Sequence, residues 1–163
     1  MNSEQPPNWV QRRARREFLL DSKADEVWND VRAAVQDACD TYNEHYSPPN
    51  QPTVDYKLEN GHRLRITKTV PADGLTVFHP VKETLVVAFD KAAPAITMSR
   101  DSTGTRAFRI DARETEVFAK GDDGTKVSAD QLSEKILERF LFSSPTERSH
   151  PIFRSPTSQG WMG

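Results

Sequence analysis

The sequence predicts an α+β domain: a single antiparallel meander of about six or seven strands, packed against one long helix in the N-terminal half. Two observations support this. Apolar residues recur at helical spacing over 24–45, and from position 54 onward they alternate with polar residues, as in half-buried strands. A shorter helical pattern follows over 129–142. The 163 residues are enough for one domain with its own core.

The long helix is predicted over 24–45. Ser22, with Asp25 three residues later, matches a capping box at its start, and the two prolines of "SPPN" (47–50) end it. The short apolar segment "REFLLDS" (16–22) is predicted to form a first strand before the helix.

The first hairpin is predicted within "VDYKLENGHRLRITKTV" (54–70). A two-residue turn at Asn60-Gly61 would place apolar and charged residues on one face of the sheet. A three-residue loop over 59–61 instead pairs Tyr56 with Leu64, so that the apolar faces agree. We therefore predict the three-residue loop.

The same reasoning applies to "AITMSRDSTGTRAFRID" (95–111). A loop over 102–104 pairs Met98 with Phe108. Between the hairpins, "ETLVVAFD" (83–90) is apolar at successive positions, which indicates a central strand covered on both sides. A last strand is predicted at "TEVFAK", before the second helix.

The second helix begins with a capping box formed by Ser128 and Gln131. Leu132, Ile136 and Phe140 fall on one side of it. These elements give a flexible basic arm over residues 1–15, one α+β domain over 16–142, and a Ser/Pro-rich, disordered tail over 143–163. Apolar residues within the tail could dock on a partner or on the domain's own sheet.

Helical geometry separates the reactive-looking residues of "DACDTYNEHY" (37–46). At 100° per residue, one arc holds Trp28, Val31, Val35, Ala38, Cys39, Tyr42 and Tyr46. Asp37, Asp40 and Glu44 lie on the opposite side. We interpret Cys39, the only cysteine, as a core residue, since a reactive thiol needs an electropositive setting. The acidic stripe is interpreted as a solvated face, with a hard cation as the alternative.

Composition narrows the class of protein. The formal net charge is −2, which gives no overall attraction to nucleic acid or anionic lipid. No apolar run approaches the ~18 residues of a membrane span. With no secretory signal pattern at the N-terminus and one cysteine, we expect a soluble, cytoplasmic protein.

The one basic cluster is "RRARR" (12–16), which contributes +4 through Arg12, Arg13, Arg15 and Arg16. Such a cluster can contact phosphates or an acidic partner. The alternative is a solvated arm, or arginines that pair with the protein's own acids. No stacking aromatics are interleaved with the arginines, so we do not expect nucleic acid as the partner.

No nucleophile elbow, phosphate-binding glycine loop or dinucleotide fingerprint is present in the sequence. The four histidines show no zinc-ligand spacing. The segment "KGDDGTKVSADQ" (120–131) invites comparison with a calcium-binding loop. If Gly124 is aligned with the invariant glycine of that loop, its first and third ligand positions hold Ala119 and Gly121, which excludes the motif. We therefore predict no cofactor and no metal, and we favour a binding protein over an enzyme.

The segment "REFLLDSKADEVWNDV" (16–31) resembles the opening strand and helix of START-like helix-grip domains. The resemblance implies a curved sheet that holds an apolar ligand against a long C-terminal helix. This chain departs from that pattern, because its C-terminal helix has only about 14 residues.

Two hypotheses of function follow. The first is a non-enzymatic binding or protein-interaction module that uses a sheet face, the arginine cluster or the tail. The second is a pocket for a small apolar ligand, with catalysis as an option, between the long helix and the sheet. Trp28, Tyr42, Tyr56 and His62 are the candidate lining residues. An exposed strand edge could also support a homodimer.

Overall fold

The computed structural model describes residues 8–46, 51–72, 74–75, 78–100 and 104–142. The elements are α1 (Trp9–His45), β1 (Thr53–Glu59), β2 (Arg63–Val70), β3 (Val81–Asp90), β4 (Ala95–Arg100), β5 (Gly104–Arg113), β6 (Glu116–Lys120), β7 (Lys126–Val127) and α2 (Ala129–Phe142). The strands form one antiparallel sheet in the order β1 to β7. The sheet curls into a half-barrel, and the predicted α+β meander is confirmed.

The long helix α1 lies across the open side of the half-barrel, where it contacts β1, β5, β6 and α2. Its buried side chains are Ala24, Trp28, Val31, Val35, Cys39 and Tyr42. They meet inward-facing strand residues such as Leu64, Ile66, Val87 and Ile96 in one core. The predicted apolar arc of the helix is thus its buried face, except that Ala38 is half-buried and Tyr46 is exposed.

The strand predicted for residues 16–22 is wrong, because α1 already begins at Trp9. Asn8 is the N-cap, and it forms a capping box with Gln11. Ser22 lies inside the helix and donates its hydroxyl to the Phe18 carbonyl one turn earlier, at 2.8 Å. The predicted Ser22 cap is therefore also wrong, and the resemblance of 16–31 to a strand followed by a helix does not extend to the structure.

The first hairpin has the predicted three-residue loop length, but the loop lies one residue further along. Glu59 pairs with Arg63 and Tyr56 with Ile66, so the loop covers residues 60–62. Asn60 and Gly61 both have positive φ, 55° and 73°, which suits asparagine and glycine. The register differs from the predicted one by two residues, and each side chain keeps its predicted face.

The second hairpin shows the same kind of difference in the opposite direction. Ile96 pairs with Phe108, and Arg100 pairs with Gly104, which begins β5 instead of ending the loop. Strand β3 is central, as predicted, between β2 and β4. Its inner residues are buried and its outer ones half-buried, so the expected cover is complete on one face and partial on the other.

Helix α2 begins with the predicted capping box, in which Ser128 and Gln131 exchange hydrogen bonds of 2.9 and 3.0 Å. Its end is held by the sheet. The buried Lys68 of β2 donates to the Phe140 carbonyl at 2.9 Å. Its ammonium and the Arg100 guanidinium lie 6.0 and 5.2 Å from the centroid of the Phe140 ring. A cation at a helix C-terminus is favourable, so these contacts hold the last turn of α2 against the sheet.

Candidate functional site

A groove of about 630 Å³ runs between the last turns of α1 and the whole length of α2. Its apolar floor and one end are formed by Ala34, Ala38, Tyr42, Tyr46, Leu137, Leu141 and Phe142. At its base, Ser133 donates to the Ala34 carbonyl at 3.3 Å and so joins the two helices. Small residues on α1 and the short Ser133 side chain leave the space open above the helix–helix contact.

Three aromatic rings close one end of the groove. Tyr42 stacks on Tyr46 with ring centroids 4.8 Å apart, and Phe142 meets each ring edge-on at 5.6 Å. Tyr42 is buried, whereas Phe142 is 58% exposed and Tyr46 39% exposed. This end therefore presents apolar surface to solvent on rigid side chains, a combination typical of binding surfaces.

The rim of the groove is acidic. Asp37 of α1 and three residues of α2, Asp130, Glu134 and Glu138, line it, and all four are exposed. Their formal charge sums to −4. The remaining polar lining residues are Thr41, His45 and Ser133. The surface thus combines an apolar floor with a negative rim, which favours an occupant that is apolar on one side and basic on its flanks.

The predicted basic cluster lies at the other end of α1. Residues 9–18 are exposed without exception, and the buried face of the helix starts only at Ala24. We call residues 9–18 the overhang. At 1.5 Å per residue it is about 15 Å long. Trp9 and Phe18 are 66% and 69% exposed, so the overhang carries apolar side chains as well as arginines.

One arginine attaches the overhang to the sheet. The Arg16 guanidinium lies 2.6 Å from the Asp111 carboxylate of β5, which also accepts from Lys120 at 3.0 Å and from the Ala112 amide. Partial burial would raise the pKa of Asp111. The hydrogen bonds from Lys120, Ala112 and Arg16 outweigh it and hold that pKa at about 2.

The other arginines have different neighbours. Arg13 pairs with Glu17 at 3.1 Å on the helix surface. Arg12 also makes an interaction, and Arg15 is exposed. The alternative in which the arginines pair with the protein's own acids thus applies to Arg13 and Arg16.

The four predicted pocket residues lie at three separate places. Trp28 stacks on Phe89 at 6.0 Å and donates to the Gly61 carbonyl at 2.8 Å; His62 faces the same Phe89 ring at 6.1 Å. Tyr56 donates to Asp40 at 3.1 Å on the outside of α1, and burial and this contact raise the pKa of Tyr56. Tyr42 lies in the groove. The structure brings together Trp28 and His62 only.

Cys39 is a core residue, as predicted. Cys39 is fully buried, and burial together with the nearby Asp40 charge raises the pKa of its thiol to about 12. Asp37, Asp40 and Glu44 are exposed, as predicted. Within the described part of the chain, no three His, Cys, Asp or Glu side chains are arranged to hold a metal ion.

A second cleft of about 590 Å³ lies beside the start of α2. It shares Glu134 and Glu138 with the groove, and its other lining residues are mostly polar, including Lys126 and Lys135. The two lysines reduce the negative field of this cleft, so the groove between α1 and α2 is the better candidate for binding a basic partner.

Over the described ranges, neither helix is long and apolar enough to cross a membrane.

Sequence reasoning did not identify the groove, although one signal was available. Two residues at 100° each place Phe142 about 200° around α2 from Phe140, so the two rings cannot both face the sheet. A large apolar residue on the wrong side of an otherwise amphipathic helix indicates a second contact surface.

No protein-family model, curated protein or solved structure matches the chain.

Proposed function

We propose that this protein is a non-enzymatic interaction module whose groove between α1 and α2 binds a basic, amphipathic helix. The observation that carries the proposal is the joint presence of an apolar floor and a rim of four carboxylates. An amphipathic helix that lays its apolar face into a groove is a common mode of peptide recognition. Basic flanks on that helix would meet the rim, which adds selectivity and speeds association.

The size of the groove supports a helical occupant. On α1 it extends from Ala34 to Tyr46, about 18 Å along the axis at 1.5 Å per residue. Three turns of a bound helix span about 16 Å. The exposed Phe142 and Tyr46 rings then lie where a bound aromatic or branched side chain would contact them.

The alternative, a small-ligand pocket between the long helix and the sheet, stays a prediction. Its four candidate residues contact three different regions, and Trp28 is packed against Phe89 within the core. The groove is the better supported site because it is open and its polar and apolar parts are on separate surfaces.

The proposal is tested by fluorescence anisotropy with a labelled synthetic helix that has a leucine stripe and arginine flanks. We expect it to bind the full chain, and a matched helix with glutamate in place of arginine to bind at least about tenfold more weakly. Rising salt should weaken binding, because the rim charges are exposed.

A double substitution tests whether the basic helix binds in the groove. Glu134→Arg with Glu138→Arg should weaken binding of the basic helix at least about tenfold, since it replaces two rim carboxylates by cations. Asp55→Lys, at an exposed position of β1 outside the groove, is the matched control and should leave binding unchanged. Equal affinity of all three proteins for the basic helix would refute the proposal.

A further inference from the structure

We infer that the groove is occupied by the overhang of a second copy of this chain, so that the protein self-associates. This inference rests on the proposed function, and it names the partner of the same site. It connects two surfaces at opposite ends of α1: the acidic, apolar groove and the exposed basic overhang, Trp9–Phe18.

Charge is the first argument. The overhang carries four arginines and Glu17, which gives +4 − 1 = +3. The groove rim carries −4 from Asp37, Asp130, Glu134 and Glu138. The whole chain has a net charge of only −2, so opposite charge is concentrated on two distant surfaces. Exposed surfaces of opposite sign steer two molecules together and fix their orientation.

The pattern of the overhang is the second argument. At 100° per residue, Val10, Ala14 and Phe18 form one stripe, because they are four residues apart. Arg13 and Arg15 lie about 100° to either side of that stripe. A helix placed with this stripe on the groove floor would therefore direct one arginine toward each side of the rim. The overhang has the chemistry that the groove selects.

The distance between the overhang and the groove within one chain also favours a second copy. The centres of the overhang and of the α1 part of the groove are about 27 residues apart, which is about 40 Å along one helix. Both surfaces belong to the same continuous α1, so the overhang cannot fold back into its own groove. Only another molecule can bring them together. The overhang is already helical, so docking costs little ordering of its backbone.

Each copy carries one overhang and one groove, so every contact pairs unlike surfaces. A second contact of the same kind either closes a dimer, in which each overhang fills the other copy's groove, or adds a further copy to a growing chain of molecules. Both outcomes appear as a weight-average mass that rises with protein concentration. Sedimentation velocity of the full chain, at low salt and over a wide concentration range, measures this directly.

Charge exchange tests the contact itself. The base-reversed variant, Arg13→Glu with Arg15→Glu, and the acid-reversed variant, Glu134→Arg with Glu138→Arg, should each remain monomeric. An equimolar mixture should associate again, because the acid-reversed chain keeps the parent overhang (+3) and the base-reversed chain keeps the parent groove (−4). Recovery on mixing also shows that the groove of the base-reversed chain and the overhang of the acid-reversed chain are folded. Circular dichroism of each variant alone tests whether the rest of its structure is unchanged.

The matched control reverses two exposed charges elsewhere, Lys82→Glu with Asp55→Lys, and should associate like the parent chain. The inference is overturned if the parent chain is monomeric at all concentrations, if either reversed variant associates as the parent does, or if the mixture does not recover.

The base-reversed variant also separates this inference from the proposed function, because its groove is intact. If it binds the labelled basic helix while the parent chain shows no self-association, the function stands and the second-copy inference fails. If it does not bind the helix, both fail. If it binds only after residues 143–163 are removed, the tail is the occupant, and the second copy is again excluded.

Discussion

The chemistry of Cys39 is set by the face of α1 on which it lies. It sits between Val35 and Tyr42 in the buried row, where burial raises the pKa of its thiol to about 12. Thiol reagents attack the thiolate. We therefore expect Ellman's reagent not to label the native protein at mildly alkaline pH, and to label one thiol per chain after unfolding in guanidinium. Rapid labelling of the native chain would contradict the buried position.

Lys68 is a buried cation on which the end of α2 depends. It is 1% exposed, it donates to the Phe140 carbonyl, and Glu83 is its neighbour on β3. Lys68→Met keeps the length of the side chain but leaves that carbonyl without its donor and removes a cation next to Glu83. We expect the free energy of unfolding to fall by about 3 kcal/mol, as for other broken buried charge contacts.

The measurement is urea denaturation followed by far-UV circular dichroism. Lys82→Met, at an exposed position of the same sheet, is the control, and it should change the free energy of unfolding by no more than about 0.5 kcal/mol. Equal effects of the two substitutions would mean that the Lys68–Phe140 contact does not hold α2.

The burial of a single residue could be predicted from the sequence where it depends only on the face of one helix. The positions of Cys39 and of the exposed acids depend only on 100° geometry, and they were predicted correctly. Lys68 could not be recognised in this way, because its partner Phe140 is 72 residues away and belongs to another element. Alternation places Lys68 on the inner face but gives no reason for a lysine there.

Among the elements, boundaries were harder to predict than types. Ser22 and Asp25 form a local capping signal, yet no proline or glycine interrupts residues 9–45, and the helix continues through Ser22. Both hairpins were predicted on the correct face and two residues out of register, since a shift of two preserves alternation. Turn backbone geometry, not apolar pattern, decides between such registers.

The attachment of α1 to β5 is predicted to depend on pH through Asp111. Its pKa is about 2 in the folded chain against an ordinary 3.8, so the folded state favours the charged form. The resulting stability is present above pH 3.8 and is lost as the pH falls toward 2. Asp111→Asn removes this contribution, and we expect a loss of about 1 kcal/mol at neutral pH, because its partners are partly exposed.

Urea denaturation at neutral and at acidic pH checks the effect. The difference between the Asp111→Asn variant and the parent chain should shrink as the pH falls through that range, whereas Asp55→Asn, at an exposed strand position, should show no such trend. A difference that is the same at both pH values would contradict the assigned role of the Arg16 and Lys120 contacts.

For the whole molecule, the fold class followed from periodicity, but the site did not. A meander joins only neighbouring strands, so alternation and turn signals were sufficient to predict it. The groove depends on how α1 and α2, which are separated by the 83 residues 46–128, pack against each other. That meeting is set by Ser133, Lys68 and the curl of the sheet, and no local pattern encodes it.

The two parts of α1 are expected to differ in local stability. Residues 28–42 alternate between core and surface against the sheet and α2, whereas every residue of the overhang is exposed. Opening the first part requires global unfolding, while opening the overhang breaks only helical hydrogen bonds and a few surface contacts. We therefore expect amide hydrogens of residues 13–18 to exchange at least about 100-fold faster than those of 28–42.

Hydrogen exchange followed by NMR on the base-reversed variant, Arg13→Glu with Arg15→Glu, measures these rates in the variant that is expected to be monomeric. Uniform protection along α1 in that variant would show that the overhang is stabilised within its own chain, and a helix held in that way would not be available to a second copy.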